Sequence, residues 1–156
     1  MSYLPCELHC HTIHSDGDFT VSELQKAAAD DHLAIIALTD HNTFSGWDEL
    51  DDNIIPAIRG IEWTTYFGHM LVLGANDFVD WRDAQPDNID EKIKQVKAVG
   101  GIVGIAHPYQ LGSPLCTGGR WEFNVRDWRN VDYIEVWHQN LYSAKRENER
   151  ALELWT

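Results

Sequence analysis

The chain has 156 residues, 44% of them hydrophobic, and no apolar run approaches the roughly 20 residues a membrane-spanning helix requires. Twelve basic residues against twenty-five acidic ones give a formal charge of −13, which disfavours a nucleic-acid backbone as a partner. Three cysteines, Cys6, Cys10 and Cys116, are an odd number without metal-finger spacing, so a disulfide framework is excluded as the organising principle.

Cys6 and Cys10 read instead as small buried hydrophobes. The length suits a single domain, residues 1–156, but falls short of the ~250 residues typical of a complete eight-unit barrel. No basic stretch followed by an apolar segment opens the chain, so a soluble, cytoplasmic protein is the default expectation.

In chain order, strand and helix signals alternate. A first strand is predicted near Pro5 to His11. Thr20-Val21-Ser22-Glu23 has the form of a capping box and opens a helix with Leu24, Ala27, Ala28 and Leu33 at helical spacing. Ala34 to Leu38 is an apolar run of the kind found in parallel strands covered on both faces. A turn-rich segment, Asn42 to Asn53, leads to a third strand over Ile54 to Trp63, and Gly68 to Gly74 supplies a fourth extended piece. Asp87 or Asn88 caps a helix bearing Ile89, Ile93, Val96 and Val99, which Gly100-Gly101 ends. Strands follow at Ile102 to His107 and Val131 to Trp137, and a last helix begins near Leu141. Its apolar stripe is Leu141, Ala144, Asn148, Ala151, Leu152 and Trp155, with a solvated charge run elsewhere on its surface. The irregular stretch Pro108 to Val125 is long enough to be a substrate lid.

Metal-ligand residue types mark the ends of these runs. His9 and His11 close the first, and in an extended strand residues i and i+2 share a face, so both imidazoles can reach one ion while Cys10 points away. Thr39-Asp40-His41 closes the second run, Glu62 the third, His69 opens the fourth and His107 closes the fifth. In folds of strand and helix units, groups at the carboxyl ends of separate strands can converge on one site. Imidazoles and carboxylates without a thiolate favour Zn, Mn or Fe over Ca. By alternation Asp40 faces away from His41 and suits support of a ligand better than ligation. Asp16, between Ser15 and Gly17, is a further ligand candidate and alternatively a turn residue. Arg59 lies on the opposite face from Glu62. His14, His32 and His138 fit no ligand position, and Trp63, Trp121 and Trp137 read as core or lid fillers. Arg120 could clamp a substrate oxyanion or phosphate.

His9-Cys10-His11, Ser15-Asp16-Gly17, Thr39-Asp40-His41, Gly60-Ile61-Glu62, Gly68-His69 and Ala106-His107-Pro108 together resemble the PHP (polymerase and histidinol phosphatase) superfamily, and Tyr133-Ile134-Glu135-Val136 extends the match. The segment Glu62 to His69 is most similar to the branch related to bacterial carbamate and amide hydrolases. The resemblance implies an α/β fold, a distorted seven-stranded barrel, incomplete here at about its first five strand and helix units. It implies two or three divalent ions (Zn, Mn or Fe). His9, His11 and Glu62 would hold one, Glu62, His69 and His107 a second, and Asp16 and His41 would contribute to a third. The nucleophile would be a hydroxide held at the metals beside the bridging Glu62.

The superfamily's closing Asp-x-His motif does not follow Glu135, and the sequence stops inside a helical pattern, so an N-terminal portion of a longer protein is expected. A chain that truly ended at Thr156 would leave an open sheet edge and invite a homo-oligomer. The leading functional expectation is a metal-dependent hydrolase with a small-molecule phosphate ester as substrate. Carbamate, ester or amide hydrolysis on the same metals is the alternative, and a non-catalytic metal-binding remnant or protein-interaction domain the second.

Overall fold

The computed structural model describes residues 3–110, 119–137 and 144–156. The strands are β1 (Cys6–Cys10), β2 (Ile35–Leu38), β3 (Ala57–Thr65), β4 (Gly68–Leu73), β5 (Ile102–Ile105) and β6 (Tyr133–Ile134), and the sheet takes them in that order. The α-helices are α1 (Val21–Asp30), α2 (Ile89–Ala98) and α3 (Lys145–Trp155). The chain divides into two compact units, Met1–Glu62 with Val72–Gly74, and Trp63–Leu71 with Ala75–Thr156.

In the first unit β1 pairs in parallel with β2, and β2 with β3. Thr20 caps α1 as its sequence requires: the Glu23 backbone N–H donates to Thr20 Oγ1 at 3.3 Å and the Thr20 N–H donates to the Glu23 carboxylate at 2.9 Å. Ala28 of α1 joins Ile36 of β2 and Ile55 in one buried cluster, with Leu24, Leu33, Ile54 and Ala57 packed around it. The helix ends before Leu33, which the apolar spacing had placed on it. His32 takes a left-handed conformation, φ 62°, and Leu33 folds back so that its N–H donates to Ala28 O. Gln25, fully buried, is satisfied by the turn before β3, donating to Asp51 O and accepting from Asp51 N, each at 3.0 Å.

The pairing of β1 with β2 slips between Glu7 and Cys10. Glu7 lies opposite Ile36 and Cys10 opposite Leu38, so two β1 residues, Leu8 and His9, face the single Ala37. Such a bulge re-aims side chains beside a functional site. Cys6, at the exposed start of β1, is not the buried hydrophobe anticipated, whereas Cys10 is buried.

In the second unit α2 packs on β5, burying Ile89, Ile93 and Val96. Gly100, at φ 81°, ends the helix in a conformation that favours glycine. Asn88 occupies the N-cap position without a capping bond; its side chain instead accepts from the Gln85 N–H and donates to Asp83 O. Lys92 is buried, with its ammonium on Asp80 O at 2.9 Å and against the Asp83 carboxylate. β5 and β6 are parallel. On α3, Ala144, Asn148 and Ala151 are buried, while Leu152 and Trp155 of the anticipated stripe are 50% and 54% exposed. Trp63 is in the core and Trp121 half-buried, but Trp137 is 60% exposed and fills no core. Leu141, Cys116, His138 and the middle of the anticipated lid lie outside the described residues.

Helix does not alternate with strand throughout. Among the described residues, α-helices follow β1, β4 and β6. A 3₁₀ turn, Trp47–Glu49, stands between β2 and β3, another, Trp128–Asn130, between β5 and β6, and two residues, Tyr66 and Phe67, join β3 to β4. Asn42, Gly46, Asn53 and Pro56 break the first of these connections, where no amphipathic stripe of helical length exists. The six strands fit an incomplete barrel; seven were anticipated for the complete one.

Candidate metal centre

In the first unit the ligand types lie at the carboxyl ends of β1 and β2 and, beside them, within β3, which continues past Glu62 to Thr65 instead of closing on it. β1 delivers His9 and, one residue beyond its end, His11. The segment after β2 delivers Asp40 and His41, and β3 delivers Glu62, with His41 and Glu62 paired in a parallel bridge. Asn42, at φ 51°, turns the chain just after His41, and its N–H donates to Glu62 O at 3.0 Å.

Glu62 is fully buried, and its Oε2 is met by three imidazole nitrogens: His41 Nδ1 at 2.8 Å, His9 Nε2 at 3.2 Å and His11 Nε2 at 3.3 Å. The two Nε2 atoms of His9 and His11 are 3.0 Å apart. His41 presents its other nitrogen to Asp16 Oδ2 at 3.4 Å, and His11 Nδ1 lies 3.7 Å from Asp16 Oδ1. The rings of His11 and His41 stack with centroids 4.4 Å apart. His11, Asp16 and His41 thus form one group of donors able to share an ion.

Burial, reinforced by the neighbouring His9, pushes the His11 imidazole down to about 4, against the pull of Glu62. For His41 burial acts in the same downward sense, but the hydrogen bond and charge of Glu62, with Asp16, outweigh it and hold the ring above its usual value. A buried carboxylate beside the neutral His11 imidazole is costly unless a cation compensates it. Donor separations of 3.0–3.3 Å are those of ligands on one divalent ion with bonds of about 2.1 Å. His11 Nδ1 is buried without a hydrogen-bond partner, a further sign that these nitrogens await something other than each other. The residues therefore fit a divalent ion, and His11, neutral over the whole ordinary pH range, is in the state a ligand needs.

In the second unit His69 and His107 lie beside one another, ring centroids 5.1 Å apart. His69 opens β4, and because β3 turns into β4 through two residues, the start of β4 lies where β3 closes. His107 follows β5 with φ 24°, a conformation that L side chains adopt only when the surroundings enforce it. Its N–H donates to Glu135 Oε2 at 2.8 Å, beyond β6, and the Ala106 N–H donates to His69 O at 3.2 Å. Glu135 was visible in sequence only as a motif extension; its role in holding the backbone of His107 depends on a contact across 28 positions.

The Trp121 backbone N–H donates to Pro108 O, next to His107, and the Glu122 N–H donates to Phe67 O. Arg120 is exposed, its backbone bridged to Tyr109. In the first unit His14 is held between Ser45 Oγ and Glu49 Oε1, each at 2.8 Å, which accounts for it without a metal.

Parallel strand ends that gather imidazoles and carboxylates around one buried glutamate define a class of α/β metal-site domain. The chain belongs to the PHP domain family, whose sequence pattern matches residues 7–103. It is 28% identical over 109 residues to an uncharacterized protein of Methanocaldococcus jannaschii, covering 70% of this chain and 48% of that one. It is 29% identical over 153 residues to a second uncharacterized protein of the same organism, covering 88% and 85%. The chain thus spans about half the length of the first relative.

Among solved structures, a two-domain Bacteroides vulgatus protein containing a predicted PHP-like metal-dependent phosphoesterase superposes with a TM-score of 0.65 at 21% identity, over 93% of this chain and 49% of that one. A candidate metal-dependent phosphoesterase of Bifidobacterium adolescentis gives 0.62 at 18% identity, over 98% and 83%. An amidohydrolase of Chromobacterium violaceum gives 0.52 at 19%, over 66% of each chain. At these identities the likeness is one of fold.

Proposed function

We propose that this chain is the metal-binding part of a metal-dependent hydrolase acting on a small phosphate ester. The observation that carries the reading is Glu62: a carboxylate oxygen with no solvent exposure, surrounded by nitrogens of His9, His11 and His41. Following the family's ligand pattern, His9, His11 and Glu62 would hold one divalent ion, Glu62, His69 and His107 a second, and Asp16 and His41 would contribute to a third, with Zn, Mn or Fe suited to such donors. Bound ions of this kind supply a lowered pKa for a coordinated water and positive charge against the developing oxyanion.

The chain's own residues divide the remaining work. Glu62 offers two oxygens and so can serve two cations. His11 stays neutral and ready to ligate. Asp16, 67% exposed at its side chain, holds negative charge at the solvent side of His11 and His41. Arg120 is the exposed cation offered to a substrate anion. The description of two structural neighbours as predicted or candidate metal-dependent phosphoesterases supports the choice of bond.

The test is hydrolysis of an aryl phosphate after chelation and re-addition of Mn²⁺ or Zn²⁺, with metal content measured alongside. Metal-dependent turnover in the wild type and its loss in Glu62→Gln are expected; protein that retains no divalent ion after purification without chelator overturns the reading. The Glu62 to His69 segment and the amidohydrolase neighbour favour a second reading, carbamate or amide cleavage, and an aryl carbamate assayed in parallel distinguishes it.

A further inference from the structure

We propose that Asp40, through Thr12 and Ser15, is the positioning residue that decides whether the ion at His11, Asp16 and His41 binds; this rests on the metal-site reading above. Asp40 is 2% exposed and spends both carboxylate oxygens on one loop. Its Oδ1 accepts from the Thr12 backbone N–H at 2.7 Å and from Ser15 Oγ at 2.6 Å, and its Oδ2 accepts from Thr12 Oγ1 at 2.8 Å. None of these three bonds comes from an imidazole of the site. What it holds is the turn Thr12–Gly17, in which Thr12 O in turn accepts from the N–H groups of Ser15 and Gly17.

That turn follows directly on His11 and contains Asp16, and Asp40 itself immediately precedes His41. One buried carboxylate therefore fixes the backbone next to all three donors. Asp16 needs such a device: its side chain is 67% exposed, and an exposed carboxylate on a free loop would lose its orientation to solvent and rotamer entropy. Gly17 closes the turn so tightly that a Cβ there would lie 2.3 Å from His11 O, so the loop has little room to relax. Thr12, fully buried, carries its hydroxyl bond in the same place. Outer groups of this kind commonly govern metal affinity by about 10–100-fold.

The experiment is Zn²⁺ titration with content by elemental analysis, and Co²⁺ absorption, on wild type, Asp16→Asn, Asp40→Asn, Ser15→Ala and Ser15→Thr. Asp16→Asn identifies the ion in question by its loss. Asp40→Asn and Ser15→Ala are expected to weaken that same ion about 10–100-fold, to lose the same Co²⁺ bands and to keep the other ions, while Ser15→Thr, which restores the hydroxyl, binds as wild type does. Equal binding by all variants except Asp16→Asn overturns the proposal and leaves the metal-site reading intact. Should Asp40→Asn fail to fold, Ser15→Ala against Ser15→Thr carries the comparison. If the wild type takes up no ion, the metal-site reading falls, and amide hydrogen exchange in metal-free protein still judges the loop: faster exchange at Thr12 and Gly17 in Ser15→Ala supports Asp40 as anchor, and unchanged exchange overturns it.

Discussion

His11 and His41 both lie against Glu62, yet their imidazoles shift in opposite senses. In the metal-free protein the His11 imidazole titrates at about 4, far below an unfolded histidine, because burial and His9 disfavour its charge. Between about pH 6.5 and that value the unfolded chain binds a proton that the folded chain refuses, so His11 makes stability fall as the pH drops through this window. His41 is raised, so its contribution is present below its unfolded value and is lost as the pH rises through its folded one. NMR titration of the metal-free protein should show His11 neutral where His41 is already protonated. Glu62→Gln should bring His41 down, since its raised value depends on that carboxylate; an unmoved His41 would contradict the assignment. Cys10 differs in kind: burial, then the charges of Glu7 and Asp40, push its thiol up to about 12, so an alkylating reagent at neutral pH should label exposed Cys6 and leave Cys10 untouched, as mass spectrometry of the folded protein would show. At this scale the ligand types were readable because each stands at the end of an apolar run, and alternation separated Asp40 from His41. The hydroxyls of Thr12 and Ser15 were not, because nothing in local spacing announces a bond to a residue 25 to 28 positions away.

Among the elements, α1 and α2 were legible because cap, stripe and stop agree along each. Thr20→Ala should cost about 1 kcal/mol of stability by removing the cap, measured by urea denaturation, with metal affinity unchanged because α1 carries no ligand. A loss of metal along with the cap would show that α1 reaches the site through β2. The elements that escaped prediction are those where tertiary contacts override local pattern. Leu33 continues the apolar spacing of α1 yet lies beyond it, since the left-handed His32 lets it pack on the cluster of Ala28, Ile36 and Ile55. Asn88 is a good capping residue by type, but its side chain is taken by Gln85 and Asp83. Gln25 sits at a polar position by composition and is fully buried, because the turn at Asp51 satisfies both ends of its amide.

For the molecule as a whole, an excess of thirteen negative charges opposes compactness, and bound divalent ions would offset part of it. Chelation should therefore lower the melting temperature, and Zn²⁺ or Mn²⁺ at about 100 times its dissociation constant should restore about 2.7 kcal/mol; calorimetry with and without chelator reads this directly. An unchanged melting temperature would count against ions held by the folded state alone. No helix among the described residues is long and apolar enough to cross a membrane, in keeping with the composition. The strand count was less legible than the positions of the donor side chains, since short strands such as Tyr133–Ile134 owe their existence to the neighbour they pair with.

The slip in β1 has the character of a reading frame. Residues opposite one another in parallel strands point the same way, so Cys10, opposite Leu38, shares the side of Ile36 that meets α1, and His9 and His11 share the other. Counting from Glu7, an unbroken strand would reverse that assignment. Were every residue kept and the bulge ironed out, His9 would face Leu38, turning the imidazoles toward the helix and the sulfur toward the donor cluster, whereas deleting Leu8 would remove the bulge and leave Cys10 opposite Leu38. The two-for-one pairing of Leu8 and His9 against Ala37 is thus what keeps this strand's chemistry in frame.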